Sequence, residues 1–291
     1  MIKLVASDMD GTLLNSEHEI SNLNKKAIEK TLKNDIEFIV ATGRGYFEAY
    51  PILEKNNIKC NVIAFNGGAI YDENKKLISR TPLGYENILF ILDVFKQFDI
   101  DTEIYSEKTS YVKNIEVDVT AYIELIKGTG GTPNVEHLRN NAKEKVKKGF
   151  LTEIKNFNAI INLDDEPVIK MLGITTNSAN LKKAENALKK NKNIFVTSSG
   201  YNNLEIMNKN ANKGLALKKF AEHKNINLEN VLALGDNLND LSMIEIAKYS
   251  VAMKNGVEKI KNLAKYTSKK TNDESGVGVA ILELLEKINN I

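Results

Sequence analysis

A chain of 291 residues, 42% hydrophobic and 27% charged, is long enough for one large domain or two smaller ones with a real core. Its net charge of +2, with lysines and acids interspersed, offers no basic stripe of the kind nucleic-acid binding needs. The single Cys60 excludes an internal disulfide framework, and no apolar run is long enough to span a bilayer. The first residues enter a strand pattern at once, without the charged and apolar regions of a signal peptide. A soluble, cytoplasmic protein with no nucleic-acid and no membrane partner is therefore expected.

Residues 2–6, apolar and partly β-branched, predict a buried strand that ends at Asp8-Met9-Asp10-Gly11-Thr12. Leu23, Ala27, Ile28, Thr31 and Leu32 then fall on one helical face. Residues 36–41 predict a second strand, ending at Thr42-Gly43-Arg44, and Phe47, Tyr50 and Leu53 a second helix. Residues 62–65 predict a third strand, ending at Asn66-Gly67-Gly68. Alternating strands and helices with short connections are the pattern of a doubly wound parallel sheet.

Residues 69–71 and 77–78 read as a hairpin and residues 81–84 as a linker. A helix over 88–98 and strands over 102–105 and 111–113 follow. Residues 116–150 carry no clear period beyond a break at 128–133 and a lysine-rich stretch, 143–148, that reads as a solvated helix face. Strands are predicted at 157–163, 169–175 and 194–197, and a helix at 181–188. This middle third reads as an α+β domain inserted into the first. Residues 204–207 lead back to a helix opening at Lys213-Gly214 and a buried strand at 231–234. That strand ends in Gly235-Asp236-Asn237-Leu238-Asn239-Asp240. A helix through Ile244, a strand over 250–253 and a C-terminal helix from Val279 complete the chain.

Polar or glycine-rich residues end each of the first three strands, and in open α/β sheets ligands bind beyond the strands' carboxyl ends. Asp8 and Asp10 repel each other unless a proton or a cation separates them. A hard, oxygen-seeking ion such as Mg²⁺ satisfies such a pair. Taken alone, Asp-x-Asp-Gly reads equally well as a surface turn. Asp236 and Asp240 extend the pair to an acidic cluster suited to Mg²⁺. Lys213, at a predicted helix start, is the best-placed cation. Thr12, Thr42, the backbone around Gly43, and Asn239 can donate hydrogen bonds. A phosphoryl group in transfer needs this mixture of metal, cation and oriented donors. An Asp carboxylate can also attack phosphorus itself. Arg44 either reaches substrate or pairs with a surface acid, and Asp240 is either a helix N-cap or part of the cluster. His18, His137 and His223 lack ligand spacing and read as surface residues; Cys60, in a polar stretch, reads as a bystander.

The ordered set Asp8–Thr12, Thr42-Gly43-Arg44, Lys213-Gly214 and Gly235–Asp240 resembles the four motifs of the haloacid dehalogenase-like phosphatase superfamily. Asn66-Gly67-Gly68 and the closing Asn272–Val277 are similar to the Cof-type subgroup, which carries a large cap between its second and third motifs. Each motif alone is weak; four in order over the whole chain are specific. The resemblance implies an α/β fold, a doubly wound parallel Rossmann-like core over 1–82 and 207–291 with an inserted α+β cap over 83–206. It implies an Mg²⁺-dependent phosphatase of small phosphorylated metabolites, sugar phosphates or related phosphomonoesters, as a monomer or small homo-oligomer. Asp8 would be the nucleophile and Asp10 the general acid and base. Asp8, Asp236 and the Asp10 backbone carbonyl would hold Mg²⁺. The Met9 amide, Thr42, Gly43, Lys213 and Asn239 would hold phosphate. Asp240 and Thr12 would orient Asp236 or a metal-bound water. A phosphomutase with the same aspartyl-phosphate chemistry and a non-catalytic sugar-phosphate sensor are the alternatives.

Overall fold

In the computed structural model, which describes residues 1–128, 131–161, 165–198 and 202–291, the first apolar run becomes β1 (Leu4–Ser7), buried along its length. Ser21 caps α1 (Asn22–Lys33) by accepting from the Asn24 amide at 3.2 Å, and Ala27, Ile28 and Thr31 face inward. β2 (Glu37–Ala41), α2 (Tyr46–Lys55) and β3 (Asn61–Ala64) follow. β4 (Ala69–Tyr71) and β5 (Leu77–Arg80) flank the polar turn, closed by the Asp72 amide donating to the Lys76 carbonyl at 2.9 Å.

The middle of the chain supplies α3 (Tyr85–Gln97), β6 (Asp101–Tyr105), β7 (Ser110–Val112), α4 (Ile115–Gly128), α5 (Val135–Lys147) and β8 (Leu151–Glu153). It continues with β9 (Lys170–Ile174), α6 (Ser178–Leu188), β10 (Ile194–Thr197) and β11 (Asn203–Asn208). The chain ends with α7 (Lys213–His223), β12 (Val231–Gly235), α8 (Leu241–Ile246), β13 (Tyr249–Ala252), α9 (Glu258–Leu263), β14 (Tyr266–Thr267) and α10 (Gly276–Asn289).

Two compact units result, Met1–Ser79 with Asn212–Ile291 and the inserted Arg80–Ala211. The first is built on a sheet in the order β14-β13-β12-β1-β2-β3-β4-β5. All its pairings from β14 to β3 are parallel, and β4 turns antiparallel to β3. From β1 the chain moves outward through β2 and β3, then returns to lay β12 on the other side of β1. The order reverses there, and such a switch point opens a crevice at the strands' carboxyl ends. Ser7 lies opposite both Leu234 and Val40, so three motif-bearing ends stand side by side. Leu4 and Ala6 pack with Leu217 and Phe220 of α7 and Met243 and Ile244 of α8. Strands buried on both faces explain why their sequences run apolar without alternating.

The inserted unit has a sheet of its own, in the order β10-β11-β9-β6-β7-β8. Ile104, Met171 and Ile206 point from it into a core with Ile91 and Phe95 of α3 and Leu181 and Leu188 of α6. β11 carries Met207 and Asn208 into this sheet, opposite Phe195 and Ile194, so the return to the first unit lies beyond residue 207. The strand predicted over 157–163 is instead a short 3₁₀ turn at Phe157–Ala159, with 162–163 outside the described residues. The Asn156 side chain accepts from the Asn158 amide at 2.9 Å and starts the turn, while Phe157, Ile160 and Ile161 bury in the core. Apolar run and strand are separable here only by that cap.

Cys60 departs from its reading as part of a polar stretch. It is 5% exposed, just before β3, with Ile58 also buried and Lys59 left outside. Burial pushes its thiol up to about 12. The native chain is expected to leave a thiol reagent untouched at neutral pH and to release one equivalent of signal on unfolding. Fast labelling of the folded chain would contradict this placement. Among the described residues, no helix is long and apolar enough to cross a membrane.

Candidate active site

Every residue of the predicted site belongs to the first unit. The Asp8 amide donates to the Leu234 carbonyl at 2.9 Å, which extends the β1–β12 ladder one residue and fixes where Asp8 stands. Asn212 caps α7, accepting from the Leu215 amide at 2.8 Å, and so starts the helix with Lys213. Gly214 follows because a Cβ there would stand 2.3 Å from the Ser242 carbonyl oxygen of α8. That close approach sinks Lys213 until it is 0% exposed.

The buried ammonium donates to Asp8 Oδ1 at 2.5 Å and to Asp240 Oδ1 at 2.6 Å. Asp240 uses its other oxygen to accept from the backbone amides of Asp236 at 3.0 Å and Asn237 at 3.1 Å. It is thus both a loop cap and an ion-pair partner; the two readings open from sequence are one arrangement. The capped loop presents Asp236, whose Oδ1 accepts from the Thr12 hydroxyl at 2.7 Å. Gly11 makes this contact possible. Its φ is +78°, and a Cβ would sit 2.6 Å from Asp236 Oδ2.

Oxygens of Asp8, Asp236 and Asp240 lie within 4.8 Å of one another. Burial raises the Asp8 carboxyl well above the usual carboxylate range, and Asp240 adds to this against the pull of Lys213. Burial and then Asp240 push Asp236 up to about 7. Burial opposes the charge on Lys213, but Asp240 and Asp8 outweigh it and raise its pKa, so the ammonium stays charged. One ammonium cannot hold three carboxylates ionised at once, and the raised Asp8 and Asp236 carboxyls are the result. A divalent, oxygen-seeking cation fits that donor set, and Asp8 and Asp236 are the carboxylates with oxygens to offer it.

The Asp10 side chain turns away from this cluster. Arg44 grips it with both arms, Nε to Oδ2 at 2.7 Å and a terminal nitrogen to Oδ1 at 2.6 Å. Burial pulls the Asp10 carboxyl upward, but the side chain is 38% exposed, and the Arg44 guanidinium holds it well below the usual range. Asp10 therefore brings no carboxylate to the acidic cluster; any part it takes in holding a metal falls to its backbone. His18 is a surface residue, as expected, with 53% of its side chain exposed, and its Nδ1 lies 3.7 Å from Asp10 and 3.5 Å from Arg44.

Thr42 closes β2, its amide donating to the Ile63 carbonyl at 2.8 Å and its hydroxyl accepting from the Arg44 amide at 3.1 Å. Gly43 lies against the Asn66 amide group, to which the Asn239 side chain donates at 3.1 Å. Asn66 is almost wholly buried in a left-handed conformation, φ +53°. Met9 lies beneath the loop with its side chain fully buried. Asn255, which the sequence did not single out, and Asn272 and Asp273 of the closing motif brace the segment after Asp10. Asn255 donates to the Gly11 carbonyl at 2.8 Å, and Asn272 to the Leu14 carbonyl at 3.0 Å. Asp273 accepts from both the amide and the hydroxyl of Ser16.

A profile of the haloacid dehalogenase-like hydrolases matches residues 5–281. The chain belongs to this family. A phosphatase of Bacillus subtilis, YwtE, named for 5-amino-6-(5-phospho-D-ribitylamino)uracil, is 32% identical over 285 residues, 98% of each chain. The phosphatase YwpJ of the same organism is 31% identical over 98% of this chain and 100% of its own. A solved haloacid dehalogenase-like hydrolase from B. subtilis superposes with a TM-score of 0.86 at 30% identity, covering 98% of this chain and 100% of that one. This haloacid dehalogenase-like hydrolase is accordingly an enzyme of the phosphatase class, on the α/β fold its sequence predicts.

Proposed function

We propose that this hydrolase is an Mg²⁺-dependent phosphatase of small phosphorylated metabolites that works through an aspartyl-phosphate. The observation that carries the reading is the fully buried Lys213 spanning Asp8 and Asp240 beside Asp236. Packed interiors exclude charge unless it is compensated, and this cluster is compensated only in part. A divalent cation supplies the missing positive charge, and a phosphoryl group is the anion that it and Lys213 together would hold.

In the reaction, an Asp8 oxygen attacks phosphorus and Asp10 gives a proton to the departing alkoxide oxygen. Lys213 neutralises the oxygens of the transferring group. The Met9 amide, Thr42, the Gly43 backbone and Asn239 orient them. Water, deprotonated by Asp10, then attacks the aspartyl-phosphate and frees Asp8. Asp8, Asp236 and the Asp10 backbone carbonyl would hold Mg²⁺, which would supply charge stabilisation to both steps. Thr12 and Asp240 fix where Asp236 points. Sugar phosphates or related phosphomonoesters are the proposed substrates, with selection assigned to the inserted unit. The relative named for a phosphorylated ribityl compound supports that class.

The test is phosphate release from 4-nitrophenyl phosphate and a panel of sugar, flavin and pyridoxal phosphates, with Mg²⁺ and with chelator. Turnover that disappears with chelator and returns with Mg²⁺ is the expected result. A requirement for a sugar bisphosphate activator would replace hydrolase with mutase. Tight binding across the panel without turnover would replace it with sensor.

A further inference from the structure

Arg44 has no part in the mechanism above, yet it makes the closest polar contacts of Asp10. Its backbone is pinned on both sides: the amide donates to the Thr42 hydroxyl at 3.1 Å, and the carbonyl accepts from the Phe65 amide at 2.9 Å. The guanidinium therefore projects from a fixed point between the ends of β2 and β3. Only 17% of the side chain is exposed, and its fork meets both carboxylate oxygens of Asp10 at 2.7 and 2.6 Å. His18 Nδ1 lies 3.7 Å from Asp10 Oδ1. A bidentate pair of this kind sets the plane of a carboxylate as well as its position.

We infer that Arg44 is the positioning residue of Asp10, holding its carboxylate in the orientation from which it exchanges a proton with the leaving oxygen and with water. The inference rests on the phosphatase reading. Two donors on two oxygens fix the carboxylate in one plane. The proton Asp10 gives in the first step is the one it takes from water in the second half-reaction of the preceding turnover; while it carries that proton one Arg44 bond is given up, and the other keeps it in place. That proton passes to the substrate's bridging oxygen as the phosphorus–oxygen bond breaks, and the second Arg44 bond re-forms. The bond given up and regained lets one carboxylate serve in both half-reactions without leaving its seat.

The role separates from plain phosphate binding by its dependence on the leaving group. A 4-nitrophenolate departs with little help from an acid, whereas an alkoxide needs the proton. The kcat/KM reports the first step, in which Asp10 is the acid. Arg44→Met is expected to lower kcat/KM for an alkyl phosphate by on the order of 100-fold, and for 4-nitrophenyl phosphate far less. Arg44→Lys, which keeps the charge but not the fork, should recover only part of the loss. Arg44→Met added to Asp10→Asn should cost the alkyl phosphate nothing further. Equal losses with both substrates, or a further loss in the Asp10→Asn background, would overturn the role. If Arg44→Met does not fold, Arg44→Lys carries the same leaving-group comparison. A native enzyme that hydrolyses neither substrate would instead overturn the phosphatase reading.

Discussion

Asp8→Asn is expected to abolish turnover, by about 10⁴-fold or more, while leaving the fold intact. The amide keeps an oxygen for the Lys213 ammonium, which donates to Asp8 Oδ1 at 2.5 Å in the native chain, so the buried hydrogen bond survives. What disappears is a charge in a cluster where burial and Asp240 already raise the Asp8 carboxyl. Removing one of three crowded carboxylates relieves repulsion, so the metal-free variant should unfold no more easily than the native protein. With Mg²⁺ the order should reverse. A ligand at 100 times its Kd adds about 2.7 kcal/mol to the folded state, and a variant short of one carboxylate binds less and gains less. Thermal unfolding with and without Mg²⁺, beside phosphate release, reads both arms. Full activity in the variant would remove Asp8 from the chemistry. An unchanged response to Mg²⁺ would remove it from the metal.

The strand ends were legible because each is an apolar run broken by residues that cannot be buried alone. Asp8, Thr42, Asn66 and Asp236 stand out against Val5, Val40, Ile63 and Leu234 for that reason. What the run does not encode is neighbourhood. That β12 returns beside β1 depends on the packing of α7 and α8, and the contacts that follow from it were invisible. Arg44 and Asp10 lie on different strand ends, as do Asn66 and Asn239, and neither pairing has a local signature. His18 belongs with them, 3.7 Å from Asp10. The inserted unit was harder for another reason. α5 buries only Leu138 and Ala142 within a polar helix, too few apolar positions to show a period. Its sheet also buries charges that a strand reading expects outside. The Lys170–Glu205 pair at 3.2 Å leaves 5% and 6% of the two side chains exposed, and Glu103 is 1% exposed. β8 is three residues long at the sheet's edge, below what a pattern can mark.

Lys213→Met is expected to cost both stability and activity, because it removes the buried cation that bridges two carboxylates of the acidic cluster. The native ammonium is 0% exposed and bridges Asp8 and Asp240 at 2.5 and 2.6 Å. Methionine fills much of the same volume, so packing changes little and the charge term is what is read. Breaking a buried pair on one side typically costs about 3–5 kcal/mol, since the orphaned carboxylates stay behind. Against a total of about 5–15 kcal/mol for a domain, that is a large share of what holds the fold. The loss of a charged donor to the phosphoryl oxygens should separately lower kcat by roughly 10²–10³. Adding Asp240→Asn to Lys213→Met removes one orphaned charge and keeps an amide-capable side chain on the loop. Stability should then recover in part while activity stays low, because nothing restores the cation beside the phosphoryl group. Mg²⁺ should raise the unfolding midpoint of Lys213→Met by more than that of the native chain, since it then meets carboxylates with no other counter-charge. A single variant as stable as the native protein without metal would mean the three carboxylates do not carry the charge assigned to them. Recovery of activity in the double variant would place the essential cation somewhere other than Lys213.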